Sequence, residues 1–152
     1  MTRTQVREHL FKLLFRIEFN SGEEMEEQLK LFFTDSPADA EEDYTSVGAD
    51  IPEDDAEYIR VKYNGIVQKL SDIDNTINSA AKGWTTDRLG KVELAILRVA
   101  VYEMMYDEAI PVGVAIDEAV DLAKKFAQDG ASSFINGILS GVIKQNNLST
   151  DK

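Results

Sequence analysis

The chain has 152 residues, 43% hydrophobic and 29% charged, which is the composition of an ordinary globular protein with room for one compact domain or two small bundles sharing a core. It contains no cysteine, so disulfides, thiolate metal sites and cysteine nucleophiles are excluded. Sixteen Lys and Arg against 28 Asp and Glu give a net charge of −12, which opposes nucleic-acid binding unless the charge is unevenly spread.

The first predicted helix spans 4–20, with Val6, Leu10, Leu13, Leu14 and Ile17 on one face and a second apolar row of Phe11, Phe15 and Phe19 beside it. So wide an apolar face leaves surface for a partner. Over 1–16 the charges are Arg3, Arg7, Lys12 and Arg16 against Glu8, a net of +3; over 17–57 they reverse to fifteen acids against Lys30 alone. A basic arm thus precedes an acidic segment. Ser21 and Glu24 form a capping box that opens a second helix over 21–34, carrying Met25, Leu29, Phe32 and Phe33. Residues 35–52 combine Pro37, Gly48 and a run of acids with few large apolar groups, so this stretch is expected to be a mobile loop.

Asp50 and Glu53, with Pro52 in the first turn, start a third helix of Ile59, Tyr63, Ile66, Val67 and Leu70 that ends near Ser71. Ile73, Ile77, Ala80 and Ala81 make a shorter fourth, stopped near Gly83. Thr85 or Thr86 caps a fifth, with Leu89, Val92, Ile96, Val99 and Tyr102 as its buried stripe. Arg98 and Glu103 interrupt that stripe; buried charges need partners, and Glu93, Glu118 or Lys124 are the candidates. An internal ion network that fixes helix register is the favoured role for the pair, ahead of catalysis. Pro111 opens a sixth helix of Val112, Ile116, Ala119, Val120, Ala123 and Phe126. Gly130 breaks the chain before a seventh with Phe134, Ile135, Ile138, Leu139 and Val142, in which Gly137 and Gly141 suggest a close helix approach. The expected fold is all-α, seven helices and no sheet.

Catalytic chemistry has little to work with. His9 is the only histidine and reads as a surface or packing residue, while phosphate-loop and nucleophile-elbow motifs are missing. The acids at 53–55 lack the spacing of a calcium loop, so no metal and no cofactor are expected. The most apolar run, 92–105, is too short and too charged to span a membrane, and no signal-peptide pattern opens the chain; the expected location is the cytoplasm.

The C-terminal half carries a specific series of segments: Trp84, Arg88-Leu89, the run from Glu93 through Arg98 to Tyr102-Glu103, Ile110-Pro111, Ala115 to Val120, Ala123-Lys124, and Phe134-Ile135-Asn136-Gly137-Ile138-Leu139. In this order the series strongly resembles the NusB family of bacterial transcription antitermination factors, over roughly 1–143. The resemblance implies a single NusB-like domain over 1–152, with seven helices in two roughly perpendicular bundles and no enzymatic activity. It further implies binding of boxA-type single-stranded RNA jointly with the small-subunit ribosomal protein NusE, within a complex on RNA polymerase. Carried onto this chain, the RNA-binding residues are Arg3, Arg7, Lys12, Ser133 and Phe134, and the protein-partner residues are Phe15, Asp87, Arg88 and Glu93. Thr4 and Gln5 stand where relatives are often basic, Gly130 and Ser133 replace larger polar or basic residues, and Phe15 replaces a usual tyrosine. Phe134 fits either base stacking or core packing. Lys124 and Lys125 are the fallback RNA site. Two alternatives stay open: a protein adaptor with little RNA affinity of its own, and a homodimer formed through the face of Phe11, Phe15 and Phe19.

Overall fold

The computed structural model describes residues 1–17, 51–81 and 89–148, and all regular structure among them is helical. Among the described residues there are six helices: α1 (Arg3–Ile17), α2 (Glu53–Gln68), α3 (Leu70–Ala80), α4 (Lys91–Tyr106), α5 (Val112–Phe126) and α6 (Ala131–Asn146). The helix expected over 21–34, the loop at 35–50, and Trp84, Asp87 and Arg88 lie outside the described residues. Two compact units divide the chain, 1–65 and 66–152, with the boundary inside α2.

In the first unit, Val6, Leu10, Phe11, Leu13 and Leu14 of α1 are buried with Ile59 and Tyr63 of α2. The second apolar row of α1 is also covered, with Phe11 fully buried and Phe15 8% exposed, so these two rings are not left waiting for a partner. Phe19 lies outside the described residues. At the edge of the expected loop, Ile51 is buried while Pro52 is exposed. Pro52 precedes α2 rather than entering its first turn, and its carbonyl accepts from the Ala56 N–H at 2.8 Å.

In the second unit, α4, α5 and α6 pack on one another, and α3 packs on α4 and α6. Proline and glycine set the starts of the last two helices. Pro111 holds an extended φ of −60° with its carbonyl accepting from Ala115, and Gly130 holds a φ of +89° that suits glycine. Helix α4 begins at Lys91, several residues after the expected Thr85 or Thr86 cap. Extended Gly90 stands at its N-cap, and Leu89 is buried ahead of the helix instead of within it. The end of the Glu93 side chain folds back against Gly90 and takes the space a Cβ there would need.

The buried charge of α4 is resolved differently from expectation. Arg98 donates from Nε at 2.9 Å and Nη2 at 2.8 Å to the two carboxylate oxygens of Asp74 on α3, a partner outside the expected candidates. Such a two-point pair locks α4 to α3 in both position and rotation. A single hydrogen bond from the Gln145 amide to the Ser79 carbonyl, 2.8 Å, ties α6 to α3 as well. The two glycines of α6 part company. A side chain at Gly141 would meet the Ala80 carbonyl at 3.3 Å, which is the close approach expected, whereas Gly137 has nothing within 4 Å and serves no packing contact.

Candidate nucleic-acid interface

At the start of α1 the backbone is organised by a capping box that the sequence reading overlooked. The Gln5 N–H donates to Thr2 Oγ1 at 3.1 Å, and the Thr2 N–H donates to Gln5 Oε1 at 2.9 Å. The signal was present as Thr-x-x-Gln. Gln5 therefore has a local task, and Arg3 leaves the helix from a fixed first turn. Arg3 is exposed, with its guanidinium carbon 3.9 Å from the centroid of the Tyr58 ring on α2. The other basic residues of the arm are less available: Arg7 is 5% exposed, and Lys12 lies 3.5 Å from the Glu8 carboxylate with a mostly covered side chain. Phe15 is buried too, so it offers a partner little surface.

In the second unit the residues converge on the turn between α5 and α6. Ala131 donates to the Gln128 carbonyl at 3.0 Å and Phe134 to the Gly130 carbonyl at 3.3 Å, which tightens the turn and sets the half-buried Phe134 ring on the first turn of α6. Two concavities share that ring. One, of about 270 Å³, is lined by Gly90, Glu93, Gln128, Asp129 and Gly130 together with Phe134. Its charged lining residues, Glu93 and Asp129, are both acids. The other, of about 500 Å³, runs from Ser133 and Phe134 past Gly137 and Gly141 to Lys144, the charged residue in its lining. Gly137 keeps this second groove wide because it adds no side chain to the wall. Ser133 also borders a third, polar hollow with Asp117, Asp121 and Lys124, where two carboxylates face one ammonium. The fallback lysines, Lys124 and Lys125, are exposed on α5, and Lys125 lies 5.4 Å from the Phe126 ring centroid.

The second unit therefore brings Ser133, Phe134 and Glu93 together, whereas Arg3, Arg7, Lys12 and Phe15 belong to the first unit, and Asp87 and Arg88 lie outside the described residues. Tyr58 and Lys144 were missed. No local pattern links Tyr58 to Arg3, while Lys144 was visible as the one basic residue on the last helix. Among the described residues no cluster of three His, Asp or Glu could hold a metal, and no helix is long and apolar enough to cross a membrane.

Six helices among the described residues and no strand define an all-α protein, and comparison with known proteins places it further. The model of the NusB family matches residues 4–144. The transcription antitermination protein NusB of Lachnoclostridium phytofermentans is 45% identical over 143 residues, covering 94% of this chain and 99% of that protein. The protein of the same description from Acetivibrio thermocellus is 40% identical over 151 residues, covering 99% and 94%. Among solved structures, T. maritima NusB superposes with a TM-score of 0.78 at 30% identity, covering 95% of this chain and 92% of that one. A structure of the antitermination factors NusB and NusE in complex with dsRNA gives 0.70 at 27% identity, covering 95% and 99%. The chain belongs to the NusB family.

Proposed function

We propose that this protein is a non-enzymatic transcription antitermination factor of the cytoplasm that binds boxA-type single-stranded RNA together with the ribosomal protein NusE, in a complex on RNA polymerase. The observation that carries the reading is the place of Phe134 on the lip between an acid-lined hollow and a groove that leads to Lys144. Opposite potentials on the two sides of one aromatic ring suit opposite ligands. A phosphodiester strand is repelled by Glu93 and Asp129 and attracted by Lys144, while a basic ribosomal protein has the reverse preference. The ring itself offers an unpaired base a stacking surface, a contact worth about 1–3 kcal/mol in single-strand binders.

Arg3 supplies a second contact, to phosphate, from the first unit. Arg7 and Lys12 stay within the proposed surface, but their burial gives them a smaller share, so the salt dependence from the arm should come mainly from Arg3. Relatedness to a protein solved with NusE and dsRNA supports both partners. The test separates the two faces. Phe134→Ala should weaken RNA binding by about fivefold to 100-fold and leave NusE binding nearly unchanged, whereas Glu93→Gln should chiefly weaken NusE binding. Equal losses of both ligands in both variants would contradict a divided surface.

A further inference from the structure

Arg3 is an exposed cation that makes no ion pair among the described residues. What it does make is a contact of 3.9 Å with the centre of the Tyr58 ring. Three carboxylates of α2 are already engaged: Arg60 reaches Glu53 and Glu57 at 3.3 Å each, and the Met1 amino group meets Asp55 at 3.3 Å. Tyr58 is in turn held by Lys62, one turn further along α2, whose ammonium donates to the phenolic oxygen at 3.2 Å and lies 5.3 Å from the ring centroid. Lys62 is itself buried, at 6% exposure, which makes it a fixed support.

A cation–π contact attracts the charge through the face of the ring and consumes none of the five N–H donors of arginine. Arg3 can therefore rest on Tyr58 and meet a phosphate at the same time. A long side chain already confined against a ring also loses less rotamer freedom when the phosphate arrives.

From this geometry we infer that Tyr58 is a positioning residue of the RNA-binding surface, holding the Arg3 guanidinium on its ring so that the arginine's N–H edge meets an RNA phosphate. The inference rests on the RNA-binding reading given above and adds to it a residue that never needs to touch RNA.

Fluorescence anisotropy with a labelled boxA-type RNA, in the presence of NusE and at several salt concentrations, tests it on the full chain. Arg3→Ala should weaken binding and flatten the salt slope by about 0.7, the value of one single-strand phosphate contact. Tyr58→Leu should weaken binding about two- to fivefold and flatten the slope in the same direction. Tyr58→Phe, which keeps the ring, should bind as the unaltered protein does, and the double variant of Arg3→Ala with Tyr58→Leu should be no weaker than Arg3→Ala alone. If Tyr58→Leu fails to fold, Tyr58→Gln removes the ring while leaving a polar tip for Lys62, with the same expected loss. Normal affinity and slope in the ring-less variant beside a weakened Arg3→Ala would overturn the inference and leave the function standing. An Arg3→Ala variant with unchanged affinity and slope would overturn both the inference and the role of the arm, and an unaltered protein that binds no RNA would overturn the function itself.

Discussion

Two glycines of the last helix and its approach show how one residue type serves different ends. Gly130 sits at a φ of +89°, where a Cβ is strained, so Gly130→Ala should cost about 1 kcal/mol or more. Gly137 has open space around it, and Gly137→Ala should instead stabilise the protein by about 1 kcal/mol, since α6 then gains a better helix former. Urea midpoints of the two variants, moved in opposite directions, check both claims. Tyr63 makes a different point. It is 2% exposed, its hydroxyl has no hydrogen-bond partner among the described residues, and burial pushes its pKa from 10.0 to about 12. Below pH 10 the phenol is neutral in both the folded and the unfolded chain. Between pH 10 and about 12 the unfolded chain gives up this proton while the folded one keeps it, so stability falls as pH rises, by about 2–3 kcal/mol once the window is crossed. Tyr63→Phe should lose that slope in alkaline denaturation curves, and at neutral pH should be as stable as the parent or more so by about 1 kcal/mol.

At the scale of helices, local signals were readable and long-range ones were not. Pro111 and Gly130 mark the starts of α5 and α6 because each acts on its own backbone, and the apolar stripes of α5 and α6 follow from spacing alone. The partner of Arg98 was not readable: Asp74 lies 24 residues earlier, on α3, among other acids no less plausible in sequence. The start of α4 was misplaced for a related reason. Thr85 and Thr86 look like caps, yet Gly90 and Glu93 occupy the N-cap and third positions, with the Glu93 side chain folded back over the glycine. The Arg98–Asp74 pair carries a sharp prediction. Asp74→Ala leaves a buried guanidinium without its carboxylate and should cost about 3 kcal/mol, while replacing both residues by leucine should cost much less. A double-mutant cycle in chemical denaturation measures the difference.

For the whole molecule, the question is how a chain of net charge −12 could carry out the proposed RNA binding. Screening confines electrostatic attraction to about 8–10 Å at physiological salt, so what matters is the local sign near Arg3, Phe134 and Lys144 and not the total. Part of the candidate site was legible. Phe134, Ser133 and Glu93 were named from sequence and do come together around one turn, and the basic arm was visible as a run of charge. The division of the arm was not legible, because which of Arg3, Arg7 and Lys12 stays exposed depends on the covering of α1 and on Tyr58, far away in sequence.

The reduced arm leads to one expectation for the intact protein: RNA binding that is weak alone and strengthened by the ribosomal protein. An anisotropy titration of boxA-type single-stranded RNA with this protein, with and without NusE, tests that most directly. Saturable binding is expected, clearly tighter when NusE is present, with affinity falling as salt rises. No RNA binding under either condition would contradict it, and would leave a protein adaptor in place of an RNA-binding factor.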